Sequence, residues 1–164
     1  MRVTVSLGSN LANRLELLRA AKDRLRTIHE GDQPFLCSRV YETSPIDCPP
    51  GSPSFLNAAV ELSSSLPPFD FLAVIQLWER ELGRPADHAF HAPRTIDLDL
   101  LAYGSLQISH ATLTLPHPRI AERAFVLAPL CDICPDRLIG QTHRSVRDLC
   151  GSLKIMPPTV VAFL

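Results

Sequence analysis

The run Arg94-Thr95-Ile96-Asp97-Leu98-Asp99-Leu100-Leu101 constrains this chain more than any other. It sets two carboxylates two residues apart inside an apolar stretch. Side chains alternate along a β-strand, so Asp97 and Asp99 share one face while Leu98 and Leu100 point into a core. Two like charges roughly 7 Å apart are costly unless a cation neutralises them. Hard oxygen ligands with nothing soft between them suit Mg²⁺. Arg94 adds a fixed charge able to hold a phosphate. The set reads as metal-assisted phosphoryl chemistry. The same pattern also fits the exposed half of an edge strand, and the motif alone leaves both readings open.

A chain of 164 residues suits one domain, taken here as 1–164,. Its net charge of −1 gives no global basic field for nucleic acid or an anionic membrane,. No run is apolar for long enough to span a bilayer, and no signal-peptide pattern opens the chain, so a cytoplasmic protein is expected. Cys131 and Cys134 form a CxxC pair, with His143 and Cys150 downstream. No second CxxC completes a zinc module, and reduced, packed thiols are the better reading of the five cysteines,.

The order of elements is legible from periodicity. Residues 1–7 alternate as a strand, and Gly8-Ser9-Asn10 follows as a turn,. Leu11, Leu15, Leu18, Leu25 and Ile28 recur at helical spacing over about 11–29, with Asn13 and Glu16 placed as an N-terminal capping pair,. Residues 35–43 and 55–63 read as strands,. Pro68 opens a second helix, Phe71, Leu72, Ile75, Trp78 and Leu82 form its stripe, and Gly83 ends it,. Strand 97–103 completes a β-α-β-β-α-β string. This is the ferredoxin-like α+β pattern: an antiparallel sheet with helices packed on one face and the other left for a ligand. Beyond it, a small strand near 106–108, a turn or short helix near 119–123 and a weak helix near 145–150 are expected, and 137–164 remains a C-terminal extension without a clear reading.

Segment 84–123 carries Arg84, Arg94, Arg119 and Arg123 with His88, His91, His110 and His117 around the carboxylate pair. A nucleoside triphosphate with Mg²⁺ matches that zone. There is no GxxxxGK[ST] and no GxGxxG, so any nucleotide is held by side chains rather than a phosphate loop. Gln76 and Glu79, at i and i+3, share a helix face. Phe55 and Phe125 lie beside Asn57 and Arg123, and read either as core or as two faces around a flat heterocycle. The stretch 84–94, between a helix end and the metal-bearing strand, reads as a mobile lid with His88 and His91 in its middle,.

The combination of Ser44-Pro45, Phe55-Leu56-Asn57-Ala58-Ala59-Val60, Gly83-Arg84, Pro93-Arg94-Thr95-Ile96-Asp97-Leu98-Asp99, Leu115-Pro116-His117-Pro118-Arg119 and Arg123-Ala124-Phe125-Val126-Leu127-Ala128-Pro129-Leu130 resembles the 6-hydroxymethyl-7,8-dihydropterin pyrophosphokinase family of folate biosynthesis. The likeness covers about 3–136. It implies a ferredoxin-like core and transfer of pyrophosphate from MgATP to the pterin hydroxymethyl group, giving AMP. By position, Asp97 and Asp99 resemble the ligands of two Mg²⁺ ions, with Arg84 and Arg94 beside them as catalytic arginines. Phe55 and Phe125 resemble the sandwich around the pterin, and Asn57, with Thr43, Ser44 and Ile46, resembles its hydrogen-bonding edge. Gln76, Glu79, Arg84, Arg94, Leu100, Thr112, Leu113, Thr114, His117 and Arg123 resemble the nucleotide side. The resemblance implies small-molecule substrates, and a monomer is expected. Loop 85–92 lacks the further arginines and the tryptophan of well-known members. A binding or sensing module without turnover is a competing use of such a fold, and a metal-dependent nuclease lacks the basic track it would need.

Overall fold

A computed structural model describes residues 1–45, 48–85, 93–140, 143–152 and 159–164. The chain runs β1 (Arg2–Ser9), α1 (Arg14–Thr27), β2 (Leu36–Cys37), β3 (Arg39–Thr43), β4 (Phe55–Ser63), α2 (Pro68–Glu81), β5 (Asp97–Tyr103), β6 (Ile108–His110), β7 (Leu113–Leu115), a 3₁₀ turn (Ile120–Glu122), α3 (Ala124–Ile133), α4 (Val146–Ser152) and β8 (Thr159–Phe163). The main sheet has the order β5-β1-β4-β3-β8, with β2 paired to β4. All its pairings are antiparallel. Both crossovers skip one strand, which is the ferredoxin-like arrangement expected from the element string.

The two faces of the sheet are chemically different. Val3, Val5 and Leu7 of β1, Ala58, Val60 and Leu62 of β4, and Leu98 and Leu100 of β5 join Leu18, Leu25, Phe71 and Ile75 of α1 and α2 in one core. The alternate residues, Thr4, Ser6, Gly8, Asn57, Glu61, Asp97 and Asp99, are small or polar and take the other face,. That second face is not wholly left to a ligand. The C-terminal additions cover part of it, with Leu127 and Leu130 of α3 and Val146 and Leu149 of α4 packed on Ala59 and Leu101. The carboxylates stay at the uncovered end. A register shift between Thr4 and Val5 makes Leu101 an extra residue on β5,. It returns Tyr103 to the first core, where its ring meets Phe71 edge-on at 6.1 Å.

Several boundaries differ from expectation for identifiable reasons. The turn read at Gly8-Ser9-Asn10 begins later, because β1 pairs with β4 as far as Ser9. The Asn13–Glu16 capping pair does not form: Asn13 is the N-cap without a side-chain bond, and only its carbonyl accepts from the Leu17 N–H. Strand 35–43 breaks at Ser38, whose hydroxyl takes the Ala59 N–H at 2.8 Å in place of a backbone carbonyl. The small strand near 106–108 is the first half of a β6–β7 hairpin. Helix α3 has no readable stripe because it is apolar on nearly every side and holds Pro129, which lacks the N–H a helix interior needs,. Strand β8, inside the unread C-terminal extension, adds an edge beside β3.

Candidate active site

Register assembles the site. Gly8 pairs with Asn57 on one side and Asp97 on the other, and Ser6 pairs with Asp99. A Cβ on Gly8 would lie 3.3 Å from Asn57 Oδ1 and 3.8 Å from Asp97 Cβ, so glycine sets how closely these strands' side chains gather,. Asn57 is 3% exposed and donates from Nδ2 to Thr43 Oγ1 at 2.8 Å.

Two cavities meet here. The smaller, about 130 Å³, is lined by Thr43, Ser44, Phe55, Asn57 and Phe125, with Arg94, Asp97, Asp99 and Arg123 at its inner end. The larger, about 400 Å³, is lined by Gln76, Glu79, Arg84, Leu100, Thr112, Leu113, Thr114 and His117, together with Asp97 and Asp99. Among the described residues, only Asp97 and Asp99 line both. Phe55 and Phe125 thus belong to one slot, each with an arginine near its ring: Arg94 at 5.9 Å from the Phe55 centroid and Arg123 at 5.5 Å from that of Phe125,. Arg94 and Arg123, expected with the nucleotide residues, line the smaller cavity at its border. Ile46, His88 and His91 lie outside the described residues, as does most of the stretch read as a lid.

Charge in the site is tightly coupled. Arg84 Nη1 donates to Asp97 Oδ1 at 2.7 Å and also to Glu79 Oε1. Arg94 stands 3.4 Å from Asp97, and Arg123 stands 3.9 Å from Asp99. Glu79 Oε1 also takes the Leu98 N–H at 2.7 Å, on the open side of the edge strand β5. Burial pushes the Glu79 carboxyl up to about 7, against the pull of that N–H and of Arg84. Burial and then the neighbouring Asp97 raise Asp99 as well, and the three arginines only partly offset them,. Burial, with Arg123 and Arg119, lowers the His117 imidazole, so it is neutral at pH 7. Its Nδ1 accepts the Arg119 N–H at 3.2 Å, which leaves the ring proton on Nε2,.

Asp97 and Asp99 fit a hard divalent cation. Both present oxygen only, and Asp99 is held protonation-prone by burial and by a like charge that a metal ion would neutralise,. No group of three His, Cys, Asp or Glu side chains among the described residues forms a cage. Mg²⁺ needs none, since it commonly takes one or two carboxylates and completes its shell with phosphate oxygens and water. The conceivable zinc set at Cys131, Cys134, His143 and Cys150 does not assemble among the described residues, and these cysteines are free thiols. Sequence reading passed over Ser6, Gly8, Cys48 and Glu122, which also line the smaller cavity, and counted Arg119 in the cationic zone without assigning it to this side. Only the even-numbered small residues of β1 signalled that something must sit above that strand.

Residues 4–135 match the model of the 7,8-dihydro-6-hydroxymethylpterin-pyrophosphokinase (HPPK) family. The chain is 42% identical over 130 residues to the 2-amino-4-hydroxy-6-hydroxymethyldihydropteridine pyrophosphokinase of Bacillus subtilis, covering 79% of this chain and 76% of that one. It is 39% identical to the Methylorubrum extorquens enzyme of the same name, with 93% of each chain covered. It is also 42% identical to a mitochondrial folate synthesis bifunctional protein of Arabidopsis thaliana, of whose length it spans only 23%. Among solved structures, Plasmodium falciparum HPPK-DHPS with pteroate superposes with a TM-score of 0.69 at 15% identity, over 92% of this chain and 42% of that one, which speaks to the fold. The chain belongs to the HPPK family, the kinases that move pyrophosphate from ATP to hydroxymethyldihydropterin in folate biosynthesis.

Proposed function

We propose that this chain carries out the family's reaction where its two cavities meet, with the pterin in the smaller and the nucleotide in the larger. The observation that carries the reading is that Asp97 and Asp99 line both cavities. The flat pterin lies between Phe55 and Phe125, with Asn57 at its polar edge and its hydroxymethyl group toward the carboxylates,. Gln76, Thr112 and the Leu113–Thr114 segment enclose the nucleotide, whose phosphates reach Arg84, His117 and the carboxylate pair.

In this arrangement the pterin hydroxyl oxygen attacks the β-phosphorus of ATP. The bond from that phosphorus to the α,β-bridging oxygen breaks, AMP leaves with the bridging oxygen, and the hydroxyl proton passes to solvent. No side chain is placed as a dedicated general base, so the chain contributes alignment and charge. Asp97 and Asp99 would hold Mg²⁺, two ions in this proposal, and the metal would supply positive charge to the phosphate oxygens. Arg94 and Arg123, on the pterin side of the border, receive the pyrophosphate as it changes partner,. Arg94 is suited to this: its Nε is buried without a hydrogen-bond partner among the described residues,. Neutral His117, protonated on Nε2, offers a donor to a phosphate oxygen.

The test is a product assay with ATP, Mg²⁺ and hydroxymethyldihydropterin. AMP and the pterin diphosphate should appear one for one, and AMP should require the pterin. Formation of ADP, or AMP at the same rate without pterin, would overturn the proposal.

A further inference from the structure

Asn10 lines neither cavity, yet it is bonded to the backbone behind both walls of the smaller one. It follows β1 directly and is 1% exposed. Its Oδ1 accepts the backbone N–H of Arg94 at 2.7 Å, and its own N–H donates to the Arg94 carbonyl at 3.2 Å. Its Nδ2 donates to the carbonyl of Pro53 at 3.3 Å, two residues before Phe55. One partner is a donor and the other an acceptor, so they fix which way the amide points. Four residues on, Arg14 Nη1 donates to the Ser54 carbonyl at 2.8 Å and pairs with Glu42 at 2.9 Å, beside Thr43. The link from β1 to α1 therefore holds the strand that carries Phe55, while Asn10 alone within it also grips Arg94.

We infer that Asn10 is a positioning residue that couples the two substrates: it ties the Arg94 backbone, next to the phosphate-facing carboxylates, to the Pro53 backbone that sets the pterin slot. The inference rests on the assignment of the two cavities made above. A phosphate that draws the Arg94 guanidinium toward Asp97 loads the Arg94 backbone. One buried amide passes that load to Pro53, and the ring of Phe55 moves with it. Neither bond requires contact with a ligand. The coupling is reciprocal, so bound pterin also favours the nucleotide-ready position of Arg94.

The experiment is calorimetric titration of the full chain with hydroxymethyldihydropterin, with and without a non-hydrolysable ATP analogue and Mg²⁺. The same analogue is titrated alone. Wild type should bind pterin more tightly when the analogue is present. In Asn10→Ala the ratio of the two pterin affinities should fall at least about fivefold, while each ligand alone binds as in wild type. Asn10→Asp keeps the acceptor for Arg94 but loses the donor to Pro53, and should lose the coupling too. Asn10→Ser replaces Asn10→Ala if a thermal melt shows the alanine variant unfolded. An unchanged ratio in a folded variant would overturn the inference. So would equal weakening of both single-ligand affinities at constant ratio, the mark of a merely structural residue, or a wild-type ratio of one. Wild type binding neither ligand would instead overturn the cavity assignment itself.

Discussion

Glu61 and Glu79 are both buried and both bonded to arginine, but the charge around them is arranged in opposite ways. Glu61, on β4, is 5% exposed, and two guanidiniums pair with it and with no other carboxylate among the described residues. Arg2 bonds Oε1 at 3.1 and 2.7 Å, while Arg137 and Thr4 bond Oε2. Burial pushes its pKa up, yet Arg2 and Arg137 outweigh burial and hold it below the ordinary value. Glu79 shares Arg84 with Asp97, and there burial prevails. Asp99, whose arginine is 3.9 Å away, is raised in the same way. Where the chain supplies a surplus of cation, the carboxylate pins Arg137 and the chain leading to α4 onto the sheet. At Glu79 and Asp99 the arginines only partly offset burial, and Asp99 lies where the two cavities meet.

The largest expected effect breaks the comparison at its functional end. Asp97→Asn or Asp99→Asn should reduce AMP formation about a thousandfold, a loss of roughly 4 kcal/mol of transition-state stabilisation, with circular dichroism unchanged. In metal-free buffer Asp99→Asn should be no less stable than wild type, because it removes an unfavourable charge. At the structural end, Glu61→Ala should cost about 3 kcal/mol in urea unfolding, since it leaves two arginines without their carboxylate. Turnover per folded molecule should stay near wild type. Near-normal stability in that variant would erase the distinction between the two clusters.

Phe125→Ala sharpens the picture of the slot. Pterin affinity should fall by about 1–3 kcal/mol while the ATP analogue alone binds as before, read by calorimetry. The smallest effect is a slope against pH. Glu79 rises from 4.5 in a free chain to about 7 when folded, so the folded protein keeps a proton that the unfolded chain releases in that window,. Its contribution to stability therefore falls as pH rises from 4.5 to about 7 and is level above. Glu79→Gln should remove that decline, about 1 kcal/mol once water in the open cleft is allowed for, in metal-free urea titrations across the window. Glu61 acts in reverse: its pKa is depressed, so its contribution is present above the ordinary glutamate range and is lost as pH falls below it,.

How much of this was legible in the sequence depends on the range of the forces involved. Strands 55–63 and 97–103 were readable residue for residue, because period-two alternation is local and strong,. Helix α3 was not, since burial on both sides erases the stripe and Pro129 argues against a helix. The carboxylate face followed from alternation alone. The grouping of Gln76 with Thr112 came from resemblance, while that of Phe55 with Phe125 was one of two open readings that the resemblance favoured, and the structure brings each of these pairs to one cavity. Asn10 gave no signal beyond a turn, because its partners lie 43 and 84 residues away. Nothing local shows that Arg94 and Arg123 line the smaller cavity, which depends on how α3 and β5 pack across the second face.

The most direct test of the account is a count of divalent ions. Mn²⁺ replaces Mg²⁺ in equilibrium dialysis against the complex with a non-hydrolysable ATP analogue and hydroxymethyldihydropterin. Wild type should retain two ions per chain, held between the phosphates and the two carboxylates. The Asp97→Asn, Asp99→Asn double variant should retain fewer. Two ions bound equally by both proteins would contradict the claim that Asp97 and Asp99 hold the reaction's cations.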